Sequence, residues 1–234
     1  MENNAHTAVS FHSTIVEEFD ARYKTNVNFQ ERFKIWSTYI DEYSAPEHTA
    51  LDLGCGSGIF TNYLAARNKH VTAIDASPDM VTHCREKNEK QGLKNITYIT
   101  DDITRIADLT DQQFDIITCS SVLEYIEDIN PVLEQVAALM TENSVFLMSL
   151  PNRTSLFRKI EPYLHKYIGR PRYYKFVKTV LPIKDARKRL NNVGLHDVSY
   201  QYYARTRLLS PICRQIGLQK YSDNQYILVC KKSA

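Results

Sequence analysis

At 234 residues, 43% hydrophobic and 24% charged, the chain has the size and balance of one globular domain, with room for a small embedded lobe. No apolar run approaches the roughly 18–20 residues that cross a bilayer, and residues 1–10 lack the apolar core of a signal peptide, so a cytoplasmic location is expected. The five cysteines, Cys55, Cys84, Cys119, Cys213 and Cys230, have no clamp spacing, which argues against a metal site or a disulfide framework.

Two helical patterns open the chain. Residues 10–24 place Ile15, Val16 and Phe19 on one face, and residues 29–43 repeat Phe33, Trp36 and Ile40 at helical spacing until Pro46 intervenes. A different rhythm follows. Residues 50–53 form a strand meeting Gly54, Gly56 and Gly58; residues 59–67 form a helix, and residues 71–74 a strand ending at Asp75. Ser77 and Pro78 suit the N-cap and first turn of a helix stopped by Gly92. Strands are expected at 95–100 and 114–119, a helix from Asn130-Pro131 to about 140, and a fifth strand at 145–150 broken by Pro151. A Tyr- and Arg-rich stretch runs to Pro182. A helix over 183–192, stopped by Gly194, and strands at 197–203 and 225–231 complete the chain. Such alternation demands a mostly parallel sheet with helices on both faces, and these sheets bind ligands beyond the C-terminal strand ends, where strand order reverses.

Residues that could carry chemistry cluster at those ends. In Leu51-Asp52-Leu53-Gly54-Cys55-Gly56-Ser57-Gly58 the alternate glycines let the backbone turn sharply and approach a ligand without Cβ clashes. The third glycine comes one residue earlier than in a pyrophosphate-binding G-x-G-x-x-G loop. Asp52 would repel pyrophosphate but suits a ligand with a cationic amino group. Asp75, 17 residues after Gly58, is placed to accept hydrogen bonds from both hydroxyls of a ribose, and Asp102 to reach an adenine amino group. Ser120 and Ser121 follow the fourth strand. Each residue alone is as readily a turn former or cap, but they follow successive strands in order.

The segments 51–58, 71–80, 96–103 and 114–126 together resemble the class I S-adenosylmethionine-dependent methyltransferases, over about residues 50–151. The resemblance implies a Rossmann-like seven-stranded sheet whose last strand is antiparallel, with an N-terminal helical lid (1–45) and a methyltransferase domain (46–234) carrying a substrate-cap insertion at about 152–182. It assigns S-adenosylmethionine contacts to Asp52, Gly54, Cys55, Gly56, Gly58, Asp75, Ala76, Met80, Asp102, Ile103 and Ser120. Met80 would pack on the adenine ring or serve as a core methionine. The lid is similar to that of small-molecule methyltransferases, including quinone-biosynthetic O-methyltransferases. By that likeness Tyr23 and Arg32 close over the donor, with Arg32 pairing to the methionine carboxylate.

Methyl transfer from a sulfonium needs alignment and exclusion of water, and a base only where the acceptor holds its proton near neutral pH. Related enzymes often read Leu-Glu-His beyond the fourth strand; this chain reads Leu123-Glu124-Tyr125. Tyr125 and Glu124 are therefore the catalytic candidates, with His165 as another source of an imidazole. Acceptor choice is expected to lie in the lid and the insertion. Net charge is only +2, yet residues 151–190 hold twelve Lys/Arg against Glu161 and Asp185, a local +10 that leaves −8 elsewhere. The bland reading of residues 153–189 is an amphipathic cap with a solvated basic face. Sharper readings are an anionic small-molecule acceptor, a docked acidic carrier protein, RNA, or a membrane surface met by about residues 156–180. RNA is the weakest, because no separate binding domain is present. A nicotinamide oxidoreductase and a non-catalytic donor-binding module are the rival classes.

Overall fold

The computed structural model describes residues 8–9, 16–206 and 210–233; the side chains of the expected first-helix face, Ile15, Val16 and Phe19, lie outside the described part. In chain order the elements are α1 (Val16–Thr25), α2 (Val27–Tyr43), β1 (Thr49–Leu53), α3 (Ile59–Ala65), β2 (His70–Asp75), α4 (Pro78–Lys90), β3 (Ile96–Thr100), α5 (Ile106–Leu109), β4 (Phe114–Cys119), α6 (Asn130–Ala138), β5 (Met140–Pro151), α7 (Leu156–Ile168), α8 (Ile183–Asn192), β6 (Leu195–Arg205), α9 (Ser210–Gln215), α10 (Gln219–Ser222) and β7 (Asp223–Lys232). Among the described residues no helix is long and apolar enough to cross a membrane.

One seven-stranded sheet runs in the order β3-β2-β1-β4-β5-β7-β6. Strands β1 to β5 pair in parallel, and β7 is antiparallel to both β5 and β6, as the resemblance implies. Strand order reverses between β1 and β4, where Leu53 pairs with Cys119. That register sets the turn at Gly54 beside Ser120. On the other side of β1, Leu53 pairs with Ile74, so Asp75 emerges next to the same turn.

The period of two along the strands divides the core between the two sheet faces. Phe146, Met148, Leu228 and Cys230 pack with Val132, Leu133, Val136 and Leu190 from α6 and α8. Val145, Leu147, Ile227 and Val229 pack with Trp36, Ile40, Phe60 and Leu64 from α2 and α3. The second N-terminal helix therefore packs into the core through one face while Phe29 and Arg32 on it line the cavity. Trp36 and Ile40 are fully buried, and Trp36→Ala would cost about 3–5 kcal/mol.

Local signals act as the sequence suggests. The Ser77 hydroxyl accepts from the Met80 amide at 3.2 Å to cap α4, and Gly92 with φ 78° follows its C-terminal end. The fifth strand begins at Met140, earlier than expected. A bulge over residues 141–144 shifts the register against β4, and Ser144 Oγ donates to the Phe114 carbonyl at 2.6 Å across it. The short helices α9 and α10 were not evident in the sequence pattern.

Candidate active site

A cavity of about 710 Å³ opens at the reversal point, walled by the loops after β1, β2, β3 and β4, by α1 and α2, and by the insertion. Asp52, Gly54, Cys55, Gly56, Asp75, Ala76, Met80, Asp102, Ile103 and Ser120 all face it, and so do Tyr23, Arg32, Glu124 and Tyr125. Gly58 does not. Its φ is +79°, and a Cβ there would lie 2.4 Å from the Cys84 sulfur, so this glycine serves the packing of α3 on α4 rather than the cavity wall. His165 is also off the wall, its Nδ1 3.2 Å from the Pro171 carbonyl.

The glycine turn is held by hydrogen bonds from the Gly54 and Cys55 amides to the Ile74 carbonyl, at 2.8 and 2.9 Å. A Cβ on Gly54 would come within 2.1 Å of a Val122 methyl, so close approach as well as φ +70° requires glycine. Asp75 is tied to the turn: Oδ2 accepts from the Gly56 amide at 2.8 Å and Oδ1 from the Ser77 amide at 2.9 Å. Burial raises the Asp75 carboxyl above the usual range, and those two amides pull it back toward the ionised form.

Asp52 is more deeply placed than its expected role required. Its oxygens accept from Thr61 Oγ1 at 2.6 Å and Thr118 Oγ1 at 2.8 Å, fastening α3 and β4 to β1. Burial raises its carboxyl, opposed by those hydroxyls and reinforced by the nearby charge of Asp75. Asp102 is exposed, and its Oδ1 caps the following turn by accepting from the Thr104 amide at 2.9 Å. It thus combines the bland role with a place on the wall. Met80 and Ile103 are buried beneath the same region.

The lid side is aromatic. Tyr23 meets Phe29 edge-on at 5.1 Å and Phe60 at 6.4 Å. Helix α1 is pinned to the glycine-turn side by Asp20, which takes Lys87 Nζ at 2.7 Å, while Lys87 also reaches the Ser57 carbonyl at 3.4 Å. Arg32 bonds directly to Ser120, joining two residues that the sequence named separately.

Beyond Ser120 the wall becomes ionisable. Glu124 is 5% exposed, and its Oε2 has no hydrogen-bond partner among the described residues. Burial pushes its carboxyl above the usual glutamate range, against the pull of Arg158 and Arg32. Burial also lifts the Tyr125 phenol well above its ordinary value, with the Glu124 charge adding to the rise, so Tyr125 is a neutral hydroxyl at physiological pH.

Facing this pair is a group from the basic segment, for which a solvated face was one of the readings the sequence left open. Arg158 on α7 is buried and gives Nη1 to both Glu161 oxygens at 2.9 and 2.7 Å; the Tyr173 hydroxyl donates to Glu161 Oε1 at 2.9 Å. The available signal was Glu161 itself, an isolated acid three residues after an arginine in a basic segment. Tyr203, Asn224 and Gln225 complete the wall from β6 and β7, and no local pattern marks them.

A glycine turn at the reversal point of such a sheet, with a carboxylate after β2 and an antiparallel β7, defines a Rossmann-like α/β domain built around a nucleoside-sized site. The methyltransferase domain family matches residues 44–198, about two-thirds of the chain, and the chain belongs to that family. It is 34% identical over 119 residues to a ubiquinone biosynthesis O-methyltransferase of Coxiella burnetii, covering 51% of this chain and 48% of that protein. It is 28% identical over 187 residues to the protein of the same name from Aeromonas salmonicida, covering 76% and 74%. The chain thus spans about half the length of the first curated relatives it matches. The fold is also that of magnesium protoporphyrin IX methyltransferase from Synechocystis PCC 6803, crystallised with bound SAH: TM-score 0.70, 19% identity, 95% of this chain and 96% of that one.

Proposed function

We propose that the chain transfers a methyl group from S-adenosylmethionine to an oxygen or nitrogen of a small molecule, in the cytoplasm. The observation that carries this reading is a single cavity with a donor-type wall at one end, Gly54, Gly56 and Asp75, and the ionisable pair Glu124 and Tyr125 at the other. The residues fit the donor. A Cβ-free turn admits close approach, Asp75 suits ribose hydroxyls, Met80 and Ile103 give an apolar bed for adenine, and Arg32 with Ser120 suits the methionine carboxylate. When bound, the donor supplies a methyl group already activated on a sulfonium.

The chain's own groups then align and protect. Tyr23 and Phe29 exclude water from above, which matters because water competes as a nucleophile. Tyr125, held neutral and hydrogen-bonded to Glu124, orients the acceptor beside that carboxylate. Glu124 has an unpartnered oxygen with which to accept its proton, and burial makes it a stronger base than a solvated glutamate. An oxygen acceptor is favoured because the relatives are named as O-methyltransferases. A cavity of this size, mostly apolar with a few ionisable groups on its wall, suits a small molecule, and neither an RNA acceptor nor a non-catalytic role gains support from a particular feature.

The test is incubation with methyl-labelled S-adenosylmethionine and a panel of hydroxylated aromatic and amine acceptors. Label should appear as the methyl ether of a hydroxyl-bearing acceptor, with S-adenosylhomocysteine and a proton released, and be lost in Gly54→Val. Absence of S-adenosylmethionine binding would contradict the reading.

A further inference from the structure

Helix α7 is inside out. Leu156, Ile160, Tyr163 and Tyr167 recur at i, i+4, i+7 and i+11 and so form one stripe, yet they are 45%, 51%, 64% and 75% exposed. The opposite side buries a charged pair, Arg158 with Glu161. Next to it, α10 packs against α7 and α9 against α10, adding Ile212 and Ile216 at 63% and 62% exposed. Lys159 and Lys166 flank the stripe on α7 itself, and both are exposed, as are Arg170, Arg172 and Lys175 in the chain that follows, the first two at the rim of the cavity. Between residues 153 and 184 the only acid is the buried Glu161, and residues 210–222 contain none.

We propose that this face docks on an anionic lipid bilayer. An apolar stripe of this kind left in water marks a surface built to be covered. Leucine and isoleucine at one end of the stripe, tyrosines at the other and lysines at its margin match the requirements of a helix lying in the headgroup boundary: apolar side chains enter the acyl region, tyrosines span the boundary, and lysines meet lipid phosphates. A second copy of this chain is the poorer occupant, because an isologous contact would set the same cations against each other. An acidic protein would satisfy the cations but leave the stripe unexplained. The same insertion walls the acceptor end of the cavity through Phe157, Arg158 and Tyr173, so docking would bring that end to the membrane surface. The proposal rests on exposure and charge and stands whether or not methyl transfer is the reaction.

The test is co-sedimentation of the full chain with phosphatidylcholine vesicles, with and without phosphatidylglycerol. The unmodified protein should pellet with the anionic vesicles and stay in solution with the neutral ones. Ile160→Glu/Tyr167→Glu should abolish pelleting, and Lys159→Glu/Lys166→Glu should weaken it by roughly tenfold or more. Unchanged thermal unfolding in both variants would show that the fold is intact. Failure of the unmodified protein to pellet would overturn the proposal. So would pelleting that survives Ile160→Glu/Tyr167→Glu, since charge alone would then explain it. A dimer seen by sedimentation velocity, broken by Ile160→Glu and accompanied by no vesicle binding, would overturn it in favour of a second copy.

Discussion

Arg32 and Ser120, 88 positions apart, are joined three times: Nη2 donates to Ser120 Oγ at 2.6 Å and to its carbonyl at 2.9 Å, and Nε donates to the same hydroxyl at 3.1 Å. The α2 wall is thereby fastened to the end of β4, at the point expected to hold the methionine end of the donor. Arg32→Ala should weaken S-adenosylhomocysteine binding by about 1.5–3 kcal/mol, as for other hydrogen bonds to charged groups. Ser120→Ala should share most of that loss, so the double variant falls well short of the sum. Calorimetric titration measures all three, and strict additivity would show that the two act separately.

Gly54 and Gly56 both have positive φ, but only Gly54 is crowded. A Cβ there meets Val122 at 2.1 Å, whereas nothing lies within 4 Å of one on Gly56. Gly54→Ala should therefore cost about 2–4 kcal/mol, backbone strain plus overpacking, and Gly56→Ala about 1–2 kcal/mol from strain alone. Adding Val122→Ala should recover part of the first loss and none of the second. Urea unfolding of the four variants checks this, and equal costs at the two glycines would contradict it.

The buried Asp52 carboxyl sits above its unfolded value, chiefly because burial disfavours the charge. A group shifted upward contributes stability below its unfolded value, near about 4, and that contribution is lost as pH rises through the folded value. Asp52→Asn removes the dependence. Relative to the unmodified protein, its Tm should rise between pH 4 and pH 7 by roughly 2–4 °C, the equivalent of about 1 kcal/mol. Donor affinity should fall, since the cationic end of the donor loses a carboxylate. Thermal scans across that pH range decide it, and a variant that loses stability toward neutral pH would reverse the sign.

For Glu124 the expectation is kinetic. Its carboxyl is also raised by burial, so the acidic limb of kcat/KM should lie above the ordinary glutamate range. Glu124→Gln should abolish that limb and lower kcat by roughly a hundredfold or more while leaving donor affinity nearly unchanged. Tyr125→Phe should spare donor binding and reduce turnover less. A pH–rate profile with the same limb in Glu124→Gln would remove this residue from proton transfer.

Which residues wall the cavity around the glycine turn was largely legible before any fold was known, because each of those signals is local. Glycine after a strand, an acid after the next, and Ser77 before Pro78 each obey short-range rules, and strand alternation then brings them together. The acceptor half obeys longer-range logic. Near Arg158 only Glu161, one turn away, hints at burial; the rest depends on Tyr173 beyond the helix and on the Asn224 carbonyl of β7, which accepts from Arg158 Nε. Composition marked residues 153–189 as basic and suggested a solvated charged face. The structure instead turns two of those charges inward on α7 and the apolar stripe outward. Gly58 shows a third case, a motif glycine retained by its contact with Cys84 rather than by the cavity.

The central claim is that the turn at residues 54–57 and the Asp75 carboxylate form one nucleoside site for a sulfonium donor. The most direct measurement is calorimetric titration of the full chain, and of its Asp75→Ala variant, with S-adenosylhomocysteine and with NADH. The account predicts that S-adenosylhomocysteine binds one per chain and is lost or weakened at least about tenfold without Asp75, as expected when a charged hydrogen-bond partner is removed, with no NADH binding. Saturable NADH binding with none for S-adenosylhomocysteine would contradict it.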